Sequence, residues 1–258
     1  MNNPSRTVAI VQCRMGSTRL PGKVLRRLGQ ATVLERVVHR LRTSRRLDGI
    51  VVATTENDED DAVDAECHRL GVDCFRGNAL DVLDRYARAA EAAGAEHVVR
   101  VTADCPFVDA TLLDEMLWRY HGSVDSLDYL SNALRRTYPH GLDLEVFSGE
   151  ALAIADRCGA SAAEREHVTP FLYRNPDRFR IANHSQEIDQ SDLRWTLDEP
   201  NDWKFFLAVV AQLPSPLVSR KEILALIAKD PSLCEINAAV RQKTLADSVA
   251  SSSQRKAG

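Results

Sequence analysis

Residues 7–24 read TVAIVQCRMGSTRLPGKV, and this stretch decides the fold. Thr7 to Gln12 is a short β-branched run with polar flanks, the pattern of a buried strand. Arg14 to Lys23 then gathers two glycines, two hydroxyls and three cations into ten residues. Glycines let backbone amides approach an anion, hydroxyls donate to it and cations neutralise it. The loop is not a Walker A motif. Five residues separate Gly16 from Gly22 where four are required, and Val24 stands where Ser or Thr must hold magnesium. The plain alternative is a solvated basic loop, yet three cations straight after a buried strand exceed what solvation asks for.

Further along, Leu34, Val37, Val38 and Leu41 repeat at the spacing of a helix face. Ile50 to Ala53 reads as a second strand, with a helix marked by Val63, Cys67 and Leu70 after it. A third strand (Val72 to Phe75), a helix (Val82 to Ala93), a fourth strand (His97 to Val101) and a helix (Thr111 to Tyr120) follow. This alternation predicts a Rossmann-like α/β fold of three layers, a mainly parallel sheet covered on both faces. Ligands of such sheets lie beyond the carboxyl ends of the strands. Both the Arg14–Lys23 loop and Ala103-Asp104-Cys105-Pro106 fall on that edge.

From about Asp125 to His184 the rhythm changes. Strand-like pieces (Leu142 to Phe147, Phe179 to Asn183) bracket helical stretches, and we read an inserted α+β arm, about 125–190, within a single domain over 1–245. Leu193 to Leu197 is expected to return as a strand, with helices from about Asn201 and Ser219. The Ser- and Ala-rich residues 246–258 are expected to be a disordered tail.

Across 258 residues, 44% hydrophobic and 27% charged is ordinary globular composition. A net charge of -4 argues against a nucleic-acid surface, which needs a basic stripe. No run approaches the roughly 18 apolar residues of a membrane span. Six cysteines show neither CxxC nor zinc-ligand spacing. With no leader in view, a cytoplasmic protein with no nucleic-acid or membrane partner is expected.

The string from Ala9 to Leu25 resembles the opening of the CTP-dependent cytidylyltransferases, the group of CMP-Kdo synthetases and acylneuraminate cytidylyltransferases. The likeness is nearest to the branch of spore-coat polysaccharide biosynthesis. Five more stretches resemble that branch in the same order: Phe75 to Tyr86, Thr102 to Asp109, Gly141 to Phe147, Glu164 to Pro170 and Thr196 to Asp202. Cys13 departs from the family's usual Ala, and a small thiol is tolerated where contact is through backbone.

The resemblance implies transfer of CMP from CTP to an acidic sugar, polyol phosphate or phosphonate, with Mg2+ as cofactor and a homodimer paired through the arm. Backbone at Ala9, Val11, Gln12 and Cys13 is expected to read the base. Arg14, Gly16, Ser17, Arg19 and Lys23 are expected to hold the triphosphate, with Arg14 and Lys23 catalytic. Arg76, Gly77, Asn78, Asp81 and Arg85 are expected at the cytidine, the alternative being a turn at Gly77-Asn78 and a helix cap at Asp81. Asp104 ends the fourth strand and is the expected metal carboxylate, its alternative a cap or turn before Pro106. Asp198 is the implied second ligand, and Asp202, just after Pro200, is read as a cap for the next helix.

Tyr138, His140, Asp143, Glu145, Arg165 and His167 are the candidates for the acceptor. Asp143 and Glu145 alternate with leucines and so share one strand face, at the site or toward water. Lys23 is read as an exposed loop lysine without a structural partner, and Trp118, Trp195 and Trp203 as core. A GT-A glycosyltransferase and a non-catalytic nucleotide-binding regulator are the rival readings.

Overall fold

The structure, a computed structural model, describes residues 5–242. The tail expected over 246–258 lies outside the described residues. Strands run as β1 (Thr7–Gln12), β2 (Arg27–Leu28), β3 (Ala31–Thr32), β4 (Gly49–Thr55), β5 (Asp73–Gly77), β6 (His97–Thr102), β7 (Tyr129–Ser131), β8 (Glu145–Ser148) and β9 (Ile181–Asn183). Helices are α1 (Val33–Leu41), α2 (Asp61–Leu70), α3 (Val82–Ala92), α4 (Ala110–His121) and α5 (Gly149–Cys158), then α6 (Ala162–His167), α7 (Pro170–Tyr173), α8 (Pro200–Val210), α9 (Arg220–Lys229) and α10 (Ser232–Glu235).

Seven strands form one sheet in the order β5-β4-β1-β6-β8-β7-β9, and β2 pairs with β3 in a separate ribbon. β5, β4, β1 and β6 are mutually parallel, and β8 alone runs against its neighbours. Strand alternation splits the hydrophobic residues between two cores. Ala9 and Val11 pack with α1, α2, α4 and α8, while Val8 and Ile10 pack with α3 and α5. Helices therefore cover both faces, and the three-layer α/β expectation is met.

Chain order sets the active edge. β4 and β5 lie on one side of β1, and β6 on the other. This reversal opens a crevice at the carboxyl ends of β1 and β6, where loops diverge to opposite sides of the sheet. The loop from Arg14 and the turn at Asp104 are the two segments that leave there. No helix among the described residues is long and apolar enough to cross a membrane.

Three expectations need correction. Leu193 to Leu197 is not a strand of the sheet. Its amides find different partners along its length, Trp195 N on His140 O (2.6 Å) and Leu197 N on Asp104 O (2.9 Å), so no ladder forms. The strand expected from Leu142 begins only at Glu145, because the Asn132 side chain takes Leu142 O (2.7 Å) and Leu144 N (2.9 Å) in place of a neighbouring strand. Gly141 ahead of it has φ +96, and a Cβ there would collide with the Trp195 carbonyl. Trp118 is 66% exposed and is not core, whereas Trp195 is fully buried.

Candidate active site

Lys23 is the centre of the crevice. Its ammonium donates to Asp104 Oδ2 (2.7 Å), Asp198 Oδ1 (2.8 Å) and the carbonyl of Leu197 (2.7 Å). The expectation of an exposed lysine without a partner is overturned, since the residue is only 9% exposed. Burial works against its charge, but Asp104 and then Asp198 outweigh burial and raise its pKa.

Asp104 sits in the turn after β6. Its place as a cap is taken by Asp109, whose side chain accepts from Leu112 N at 3.0 Å at the start of α4. Asp104 is thereby left to Lys23 and to Thr102, which donates to Oδ1 at 2.6 Å. Burial opposes its ionisation, yet Lys23 and Thr102 hold its pKa below the usual carboxylate value.

Asp198 is placed by the start of α8. Asp202, fully buried at the third position of that helix, accepts from the amides of Asp198 (3.0 Å) and Glu199 (2.9 Å). Arg194 grips Asp202 through two bonds of 2.8 and 2.9 Å and stands 3.5 Å from Asp198 Oδ2. Arg19 reaches the opposite side, 3.5 Å from Asp198 Oδ1 and 2.6 Å from Glu199. Two carboxylates converging on one cation make a hard-oxygen donor set that fits magnesium, with water and phosphate left to complete the shell. No cluster of three or more His, Cys, Asp or Glu able to hold a metal exists among the described residues.

The loop itself is held at its head. Asp60, fully buried, accepts from Met15 N at 2.6 Å and from the Thr55 hydroxyl. Arg14 and Gly16 are exposed on the loop, and Ser17 Oγ accepts from Leu20 N at 3.3 Å. Ala9 and Val11 are fully buried between β4 and β6, and Cys13 N donates to Ala53 O at 3.1 Å. These amides serve the sheet, so their expected role in reading a base is corrected. Gln12 is half-buried, and its side-chain oxygen accepts from Arg100 at 3.3 Å.

Beyond β5, Asn78 Oδ1 accepts from Leu80 N and Asp81 N, and Asp81 caps α3 through Asp84 N. Arg76 is committed to Asp61, Thr55 O and Asn57 O. Arg85 differs. It is fully buried and bonds Asn78 O at 2.5 Å, while its Nε and Nη2 have no hydrogen-bond partner among the described residues. Burial pulls its pKa down. Gly77 makes room for it, because a Cβ there would come within 3.1 Å of Arg85 Cγ.

The acceptor candidates do not form one group. Asp143, outside β8, is paired with Arg136, while Glu145 binds Arg100 (2.5 Å) and Tyr129 (2.6 Å). The alternation expected for the two acids holds, since Leu142, Leu144 and Val146 all enter one core, but Asp143 precedes β8 and the two acids have separate partners. Tyr138 is buried, stacked on His184 and beneath Arg220, and Arg165 bonds Asp81 and Asp156. His167 has its Nε2 buried with no hydrogen-bond partner among the described residues, ahead of Val168 at φ +72, and burial lowers its pKa. His140 ties the Leu193–Trp195 segment, and burial likewise lowers its pKa. Asp60, Arg100, Arg136 and Arg194 were not foreseen. For Asp60 the signal is the acidic run Asp58-Glu59-Asp60-Asp61 after β4, which lies on the same active edge.

A switch-point crevice with a basic loop on one lip and paired carboxylates on the other defines a nucleotidyltransferase. The cytidylyltransferase family model matches residues 8–227, and the chain belongs to that family. An uncharacterized protein, MJ1063, of Methanocaldococcus jannaschii is 35% identical over 241 residues, 93% of this chain and 97% of that one. The spore coat polysaccharide biosynthesis protein SpsF of Bacillus subtilis is 34% identical over 230 residues, covering 86% and 94%. Among solved structures, a cytidylyltransferase from Leptospira borgpetersenii superimposes with a TM-score of 0.86 at 31% identity, covering 93% and 99%.

Proposed function

We propose that this enzyme transfers CMP from CTP to a small acidic acceptor, an acidic sugar, a polyol phosphate or a phosphonate, and releases pyrophosphate. The observation that carries this reading is the meeting of Lys23, Asp104 and Asp198 at the switch point of a cytidylyltransferase-family chain. Arg14, Arg19 and Lys23 hold the triphosphate and offset its charge. Arg85, whose buried Nε and Nη2 have no partner among the described residues, is the further cation for oxygen atoms of the nucleotide. Asp104 and Asp198 hold magnesium, which when bound supplies electrostatic stabilisation of phosphate oxygens.

An acceptor oxygen attacks the α-phosphorus, the bond to the bridging oxygen of the β-phosphate breaks, and pyrophosphate leaves with the electron pair. The acceptor's proton passes to water. The chain's part is positioning and charge. SpsF's role in spore coat polysaccharide biosynthesis favours a sugar-like acceptor. Two copies pair through the segment at about 125–190, which light scattering tests as a mass of two chains. We place the protein in the cytoplasm, where its six free thiols stay reduced.

The test is pyrophosphate release from CTP against a panel of such acids. Release with one class and none with ATP or GTP is expected. Transfer from a nucleotide sugar without pyrophosphate would mark a glycosyltransferase, and CTP binding without turnover a regulator.

A further inference from the structure

We infer that the Asp104–Asp198 cradle excludes a free divalent cation and accepts one only as the chelate of a nucleoside triphosphate, with Lys23 as the gate. The inference rests on the reading of this crevice as a CTP site. An ammonium has three donors, and Lys23 spends one each on Asp104, Asp198 and Leu197 O, at 2.7, 2.8 and 2.7 Å. One bond from each carboxylate is thus already given to a cation.

A bare dication entering this cradle would meet the ammonium at contact distance, where like charges repel strongly in a poorly solvated site. Lys23 would have to leave, and the nearby loop offers it little. Arg14 and Arg19 are cations, and Glu199 is already held by Arg19 at 2.6 Å. An ammonium displaced from a residue 9% exposed would give up three acceptors, two of them anionic, and the loop Arg14–Lys23 carries no carboxylate to replace them, which is costly for a buried charge. Magnesium also gives up its water reluctantly and gains only the two carboxylates. A triphosphate changes both sides of this balance. Its oxygens receive the lysine ammonium as it leaves Asp104 and Asp198, and they complete the shell of the ion. Lys23 therefore exchanges carboxylates for phosphate in the same event that loads the metal.

Binding of Mn2+ to the full chain, read by water-proton relaxation enhancement, tests this, because the method separates protein-bound ion from a small chelate. Four samples are compared: wild type alone, wild type with the α,β-methylene analogue of CTP, Lys23→Met alone, and Lys23→Met with Asp104→Asn. Without nucleotide, Lys23→Met is expected to bind Mn2+ about tenfold or more tighter than wild type, since the ammonium bonded to both carboxylates is gone while Arg19 and Arg194, each 3.5 Å from Asp198, are the same in both proteins. The double variant is expected to lose that gain. Wild type is expected to acquire tight binding only with the analogue. Equal Mn2+ affinity of wild type and Lys23→Met without nucleotide, abolished by Asp104→Asn, would overturn the gate while leaving the CTP reading intact. An analogue that fails to bind wild type would overturn the CTP reading instead. Should Lys23→Met fail to fold by its melting curve, the wild-type pair with and without analogue decides, and tight binding in both overturns the gate.

Discussion

The amide of Met15 donates to Oδ1 of Asp60 at 2.6 Å, which ties the head of the basic loop to the carboxyl end of β4. The other oxygen of Asp60 accepts from Thr55, the last residue of β4. A buried carboxylate thus sets where Arg14 and the amides after it stand. Asp60→Ala leaves an amide and a hydroxyl unpaired, and a loss of about 1–3 kcal/mol in urea unfolding is expected. CTP affinity should fall with it, and Asp60→Asn should restore much of both, because an amide oxygen still accepts. Full affinity in Asp60→Ala would free the loop from this tie.

Asp202 gives a pH signature. Burial opposes its charge, but Arg194 and the amides of Asp198 and Glu199 outweigh burial, and its folded pKa lies below the ordinary carboxylate value. The stability it contributes is complete above the unfolded pKa of about 3.9 and is lost as pH falls through the lower folded value. Wild type should therefore lose stability more steeply than Asp202→Asn below about pH 4, with the variant already weaker at neutral pH. Parallel curves for the two proteins in acid denaturation would remove Asp202 from this role.

Arg85 sets stability against function. A buried guanidinium whose Nε and Nη2 have no partner among the described residues is a cost to the fold. Arg85→Met should be unchanged or up to about 2 kcal/mol more stable, as apolar replacements of buried charges often are. Its CTP affinity by calorimetry should fall about tenfold or more if Arg85 makes the charge-assisted bonds proposed for it. A variant that is much less stable yet binds CTP normally would make Arg85 purely structural.

The fold was legible because the central strands β1 and β4 are buried over most of their length, so Val8 to Val11 and Val51 to Ala53 announce themselves as short apolar runs. The segment from Leu193 to Leu197 misled for a related reason. Trp195 and Leu197 are as buried as any strand, but their backbone bonds go to His140 and Asp104. Apolarity reports burial and says nothing of the bonding partner. Within the crevice, the loop and both carboxylates stood at the ends of readable elements. Lys23's bonds to Asp104 and Asp198 and Asp60 beneath Met15 are contacts between residues 45 to 175 positions apart, which local pattern does not carry.

Asp104 and Asp198 are proposed to act as one magnesium-holding unit in CMP transfer. Asp→Asn at either position keeps size and one acceptor oxygen but removes the charge proposed to bind the cation. The deciding measurement is pyrophosphate release by the two single variants and the double variant, across a magnesium titration with CTP and an active acceptor. Each single variant should lose about two or more orders of magnitude in turnover, and the double should be hardly worse than either, because a site missing one ligand has little left to lose. Near-wild-type turnover of Asp104→Asn at low magnesium would contradict the account.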